Sequence, residues 1–436
     1  MSGQYELPEL VALQTICKKI IDMPYCSGTI ELSAPLLFYR SENSSKCIDF
    51  SNPTQEQLQD LADACAPASF GRNQENVLDE SYRKAGAMDT SNFAVQFSPW
   101  DSGILKVAVD TLFKGSIANV KAELYKLNVY SPGSFFNAHV DTPRGDTMFG
   151  SLVVVLPTPH TGGSLLFKHH ESKYAFDSAA AVSTSSPEAP LAAFAAFFSD
   201  VEHKVAEVTS GYRVTLTYNL YNTSSNGDRH SKISPPTSGI TIQDESQTVL
   251  SLSNALTSLL SIPTFLPDGG LLAFGLAYQY PFTPQVTMLP EIARRLKGID
   301  ALLKRACDAS GLQVSVKALY RDYHRSYGND ISCFLDHFVR FGEDQIEEPI
   351  VQHLTQCIRG AIVGYDIRNG APSTDDYDEE GYARGTEILG VVWAKALDSK
   401  NAFEEQYIAY GNEASMACAY GKVCLVVRVK PAGQRL

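Results

Sequence analysis

The sequence predicts an α+β fold: helices flank a β-rich unit of sandwich or jelly-roll type, and a second, mixed α/β unit follows. Three observations predict it. The 436 residues exceed one ordinary domain and suit two. From about residue 121 to 221, short apolar segments are separated by Ser131-Pro132-Gly133, Pro157-Thr158-Pro159 and Thr161-Gly162-Gly163, the pattern of many short strands joined by turns. The stretch from Asn222 to Pro236 (NTSSNGDRHSKISPP) is polar and ends in prolines, which sets a boundary between units at 1–221 and 237–436.

The elements follow in chain order. Thr54 with Gln57 is a capping-box pattern, and Leu58, Leu61, Ala62 and Cys65 then share one helical face. The charged segment Asp79 to Lys84 either caps a helix or reaches substrate at the mouth of the β unit. Asp177 to Pro190 is small and polar, a loop between strands. In the second unit Pro290 to Ala306 places Ile292, Leu296, Ile299 and Leu303 along one helical stripe, and Leu312 to Tyr320 alternates as a half-buried strand. Asp375 to Glu380 reads as a solvated loop, Tyr410 to Glu413 as a tight turn, and Val423 to Val429 as a final strand. The echo of Gly162-Gly163-Ser164-Leu165-Leu166-Phe167 in Gly269-Gly270-Leu271-Leu272-Ala273-Phe274 raises a further expectation: the second unit as a diverged copy of the first.

Composition excludes several function classes. A net charge of −13, with no Lys/Arg cluster, argues against nucleic-acid binding, which needs cations to neutralise phosphates. No run of about 18 apolar residues suggests a membrane span. The nine cysteines are odd in number and widely spaced, which reads as free thiols in a reducing compartment. Met1 to Glu6 has no secretory character, so a cytoplasmic or nuclear protein, or one shared between both, is expected.

The chemistry is concentrated in Tyr130-Ser131-Pro132-Gly133-Ser134-Phe135-Phe136-Asn137-Ala138-His139-Val140-Asp141. In an extended strand His139 and Asp141 point to one side, so an imidazole and a carboxylate converge without a bend. His203 supplies a third ligand, and Glu202 beside it should point away. Two histidines and one carboxylate on one face of an iron leave three positions for a bidentate cosubstrate and dioxygen. Ten residues on, alternation sets Arg213, Thr215 and Thr217 on one face, and an Arg can hold a carboxylate through two parallel hydrogen bonds. His160, His169 and His170 read as polar loop and strand residues, and His324, His337 and His353 as core or surface ones.

These residues resemble the 2-oxoglutarate/iron(II) dioxygenases, in particular the prolyl 4-hydroxylase-like branch common in fungi. The matching pieces are Tyr-x-Pro-Gly before His139-x-Asp141, the Gly162-Gly163 strand start, His203, and a basic residue ten positions later. They span about residues 120 to 221. The resemblance implies a double-stranded β-helix, Fe(II) held by His139, Asp141 and His203, and 2-oxoglutarate paired with Arg213. Thr215 resembles the hydroxyl residue that assists this Arg, and either Tyr130 or Tyr125 would lend a phenol. It also implies O2 as cosubstrate, allows ascorbate as a reductant, and predicts hydroxylation of a C–H bond with release of succinate and CO2. Asp141 excludes the family's halogenases, which carry a small residue there. The substrate is either a protein side chain or a small metabolite. Rival readings are a desaturase or ring-closing enzyme with the same iron centre, a non-catalytic jelly-roll interaction protein, and a zinc hydrolase using the same ligands.

Overall fold

The computed structural model describes residues 7–20, 23–42, 44–72, 75–113, 120–142, 144–145, 147–169, 172–223, 246–280, 282, 287–321, 331–340, 350–367, 386–397, 401–410 and 414–435. The boundary stretch beyond residue 223, the acidic run 375–380, the turn at 411–413, His170 and His324 lie outside them. Two compact units divide the chain: residues 23–243, and residues 1–22 together with 244–436. The N-terminal helix Pro8–Lys19 thus does not flank the first unit as expected. It buries Leu10, Leu13 and Cys17 in the second, where Gln14 Nε2 donates to the Trp393 carbonyl at 3.1 Å.

Eight strands wind the core of the first unit: β1 (Val120–Tyr130), β2 (Phe135–His139), β3 (Met148–Val155), β4 (Leu165–His169), β5 (Ser172–Phe176), β6 (Leu191–Phe198), β7 (Glu202–Val205) and β8 (Arg213–Asn222). One sheet holds β6-β3-β8-β1 in its middle, and the other runs β5-β4-β7-β2. Every pairing is antiparallel, and the chain passes repeatedly from one sheet to the other. That is the winding of a jelly roll. Tyr25–Glu31 extends the first sheet beyond β6, and Gly86–Asp89 extends it beyond β1.

The sequence of β6, Leu-Ala-Ala-Phe-Ala-Ala-Phe-Phe, is apolar throughout because both of its faces are covered. Phe198 meets Phe113, which follows the helix Ile104–Leu112, at 5.5 Å between ring centroids. Phe197, on the opposite face, meets Phe167 of β4 at 5.1 Å, which closes the two sheets over a shared interior. The helix Gln55–Asp63 starts as its sequence predicts: Thr54 and Gln57 cap each other reciprocally, and Leu58 and Leu61 are buried. Within the stretch read as a loop, Asp177 instead caps a short helix, Ser178–Val182.

The second unit differs from the copy expected of it. Its strands are β9 (Gly270–Gly275), β10 (Val314–Arg321), β11 (Ile331–Leu335), β12 (Ile362–Asp366), β13 (Glu387–Lys395), β14 (Ala402–Tyr410) and β15 (Ala414–Val429). The pairings β9–β13 and β12–β13 are parallel, unlike the antiparallel pairings of the described strands in the first unit. Long β15 pairs with β10 and with β9, so the order β9-β13-β12-β11-β10-β15 returns to its start. Leu271, Leu319, Phe334, Ile362, Val391 and Val426, one from each of these six strands, form a single buried cluster. The echoed glycine pairs share a local role only. Gly162, Gly163, Gly269 and Gly270 all have positive φ at a strand entrance, where glycine carries no steric penalty. The helix expected over 290–306 is two, Leu289–Arg294 and Gly298–Ala309. Gly298 at φ 43° lies outside right-handed helix geometry and accounts for the break.

Candidate metal centre

The two sheets bring His139 and His203 together as a directly opposed pair across β2 and β7. The register slips between Phe136 and His139, a bulge that turns both rings to the same side, where they stack at 3.6 Å. Asp141 follows two residues beyond His139, just past the end of β2. The ligand atoms of His139, Asp141 and His203 all lie within 4.8 Å of one another. His203 Nε2 is 3.8 Å from Asp141 Oδ1. Two ligands at about 2.1 Å from one ion are separated by at most about 4.2 Å, so this pair already suits a shared metal. Among the described residues this is the one such group.

The hydrogen bonds around the triad decide which atoms face a metal. His139 Nδ1 is 2.8 Å from the Asn137 carbonyl, and His203 Nδ1 is 3.0 Å from the Val201 carbonyl. A carbonyl only accepts, so each Nδ1 carries the proton and each Nε2 presents a lone pair. Burial, followed by the neighbouring His203, lowers the His139 pKa from its ordinary value against the opposing pull of Asp141. That keeps the imidazole in its neutral, metal-binding form. The Ser151 hydroxyl of β3 donates to Asp141 Oδ2 at 2.5 Å, leaving Oδ1 toward His203. Glu202 points away as expected, 3.9 Å from Lys168.

Arg213 begins β8, opposite Tyr130 of β1. It is fully buried, yet its Nη1 and Nη2 atoms have no hydrogen-bond partner. Its Nε donates to Ser178 Oγ at 3.2 Å, and that oxygen lies 3.3 Å from His160 Nε2. Because His160 Nδ1 donates to the Thr158 carbonyl, Nε2 accepts from the serine, and the chain His160–Ser178–Arg213 holds the guanidinium in place. Burial lowers the Arg213 pKa to about 10, with Tyr130 opposing, so the group stays cationic at neutral pH. Two unpaired donors on a buried cation are costly unless an anion meets them. The donor set therefore fits a carboxylate here, as the triad fits Fe(II).

Of the two candidate tyrosines, Tyr130 lies beside Arg213, its ring 5.4 Å from the guanidinium carbon. Tyr125 sits at a bulge in β1 and accepts from Arg144 Nη2 at 2.7 Å. The Thr215 hydroxyl is buried and directed at the Asn128 carbonyl, 3.5 Å away. The glycine pair before β4 gains a specific reason: a Cβ on Gly163 would stand 2.7 Å from Arg213 Cδ. His160 is structural, in keeping with its reading as a polar loop residue.

A cavity of about 540 Å³ adjoins the triad, walled by both sheets. Thr217 and Asn219 of β8 line it on the face they share with Arg213. The Asp79–Lys84 segment, which forms a turn and the short strand Arg83–Lys84 in place of a capped helix, contributes Asp79, Tyr82 and Arg83 to the wall. Sequence reasoning missed Ser151, Phe136 and Asn128. Only Phe136 lies close enough in sequence to His139 to have left a local signal.

Residues 125–221 match the 2OG-Fe(II) oxygenase superfamily. A prolyl-4-hydroxylase from Pseudomonas putida is similar at 18% identity, with 34% of this chain and 76% of that one covered and a TM-score of 0.23. A prolyl hydroxylase from Trichoplax adhaerens, solved with a hypoxia inducible factor peptide fragment, is 14% identical over 49% of this chain and 91% of that one, with a TM-score of 0.26. The Escherichia coli ribosomal oxygenase YcfD is 9% identical over 76% and 74%, with a TM-score of 0.15. Such distant likenesses transfer no substrate. No curated protein sequence matches the chain. The first unit thus carries, over residues 125–221 and around its His-Asp-His group, a match to the 2OG-Fe(II) oxygenase superfamily. That superfamily uses Fe(II), 2-oxoglutarate and O2.

Two substitutions separate the parts of the site. Ser151→Ala should weaken metal binding about 10- to 100-fold, with Ser151→Thr restoring most of it, as read by Mn(II) titration. Gly163→Ala should displace Arg213 and lower 2-oxoglutarate affinity roughly 10- to 100-fold while metal affinity stays near wild type, as read by calorimetry.

Proposed function

We propose that His139, Asp141 and His203 ligate one Fe(II), that Arg213 pairs with the distal carboxylate of 2-oxoglutarate beside Tyr130, and that the enzyme hydroxylates a C–H bond of a small molecule held in the adjoining cavity. The observation that carries the reading is the convergence of one ligand atom from each of two histidines and one carboxylate within 4.8 Å. When bound, the iron supplies oxygen activation coupled to decarboxylation of 2-oxoglutarate to succinate.

The protein's own part is geometric and electrostatic. The backbone carbonyls of Asn137 and Val201 hold both imidazoles in one tautomer and orientation. Ser151 holds the carboxylate, and the rings of Phe136 and Phe197, the latter 4.5 Å from His203, wall the ligands from bulk water. Arg213, cationic and otherwise unpaired, gives the diacid one fixed anchor, with Tyr130 alongside. A small-molecule substrate is supported by the cavity: its volume of about 540 Å³ falls within the range of small-ligand sites, and residues of both sheets line it. Neither an unpaired buried guanidinium nor a converging triad serves a jelly roll that acts only as a scaffold. Among the described residues eight cysteines form no disulfide, which supports a cytoplasmic or nuclear location.

Succinate formation from 2-oxoglutarate, with Fe(II) added and then withheld, tests the reading. Wild-type protein should release succinate only with iron, and His139→Ala and Asp141→Ala should each abolish release. Succinate released by those variants at wild-type rates would remove the triad from the reaction.

A further inference from the structure

The cavity wall carries a second guanidinium that the reaction chemistry does not use. Arg83 reaches the cavity from its short strand, which pairs with β2 so that Arg83 stands opposite Phe136. Its Nη1 donates to the Ser69 carbonyl at 2.7 Å, and its Nη2 donates to Asn128 Oδ1 at 2.7 Å. Asn128 in turn donates to Thr217 Oγ1 at 3.1 Å, so three wall residues hold the group in one pose. The guanidinium carbon lies 4.5 Å from the centroid of Phe136, the ring that stacks on His139. Arg83 is therefore rigid and close to the reacting centre.

Its charge is unbalanced. Among the described residues no carboxylate is in ion-pair reach of Arg83, or of Arg144 at the cavity rim, whose partner is the Tyr125 phenol. Of the five N–H donors of a guanidinium, two are taken on Arg83, and its Nε is buried with no partner. Among the described residues the carboxylates on the wall are Asp79 and Asp141. Asp141 faces the metal position, and Asp79 Oδ1 accepts from the backbone N–H and hydroxyl of Ser81 at 2.9 and 2.6 Å. With Asp141 matched by a metal ion and Arg213 by the cosubstrate, two guanidiniums face one carboxylate. Among the described wall residues, cationic groups thus outnumber the anionic ones left for a substrate. A half-buried cation with a free donor is stabilised most by an oxyanion that takes both its charge and its N–H.

We propose that the substrate carries an oxyanion, a carboxylate or a phosphate, and that Arg83 binds it. This rests on the oxygenase reading and narrows its substrate class to small acids. The alternative that Arg83 serves 2-oxoglutarate is disfavoured by Arg213, which already offers that anion two unpaired donors.

The test uses the full-length protein with Mn(II) in place of iron and saturating 2-oxoglutarate, so that ligands bind without turnover. Matched sets of small molecules are presented, each with a carboxylate, a phosphate monoester and a neutral amide or alcohol on one skeleton, and binding is read by ligand-observed NMR. Binders should come from the oxyanion arms, and the better arm identifies the group. Arg83→Gln should weaken them at least tenfold and Arg83→Lys by less, with Mn(II) and 2-oxoglutarate affinities unchanged in both. The proposal is overturned if neutral members bind as well as their acids, if no acid binds, or if Arg83→Gln leaves the acids unaffected or weakens 2-oxoglutarate instead. Should wild-type protein fail to hold Mn(II) and 2-oxoglutarate at all, the oxygenase reading itself fails.

Discussion

Each imidazole of the triad gives its Nδ1 proton to a backbone carbonyl two residues earlier in the chain, and much of the site follows from that pair of bonds. The bonds choose the tautomer, aim both Nε2 atoms toward Asp141, and fix the rings before any ion arrives. They require β2 and β7 to be neighbours in a register that sets His139 against His203. That register belongs to the jelly-roll winding, so the metal centre depends on the whole first unit and not on the His-x-Asp motif alone.

The rest of the site is arranged around charge. A carboxylate and a half-buried guanidinium without a carboxylate line one cavity, and a buried guanidinium with two unpaired nitrogens sits in the same unit. Left empty, such an arrangement is a poor way to stabilise a fold, because buried donors without acceptors cost free energy. It is well suited to receiving anions. The polar chain His160–Ser178–Arg213 and the steric requirement at Gly163 show how much local sequence is given over to holding one guanidinium.

The sequence made much of the site legible because its strongest signals are local or periodic. The spacing of His139 and Asp141, the alternation from Arg213 to Thr217 and the capping box at Thr54 each follow from backbone geometry within a few residues. What escaped was non-local. Ser151 reaches Asp141 only because β3 crosses the opposite sheet, and nothing near Ser151 announces that role. The expected strand pair His139/Asp141 is a strand end plus a loop residue, since β2 stops at His139. The helix Pro8–Lys19 is amphipathic in either unit, and only tertiary contacts assign it to the second. The glycine echo misled because paired glycines mark a strand entrance in any sheet. Pairing direction, which distinguishes the two units, has no signature in six residues.

The central claim is that one ion and one diacid assemble between these two sheets. Anaerobic addition of Fe(II) and then 2-oxoglutarate, followed by visible absorption, tests it most directly. One iron per chain should be retained, and a weak charge-transfer band should grow to one equivalent of 2-oxoglutarate. Iron that fails to bind, or binds without any such band at saturating 2-oxoglutarate, would contradict it.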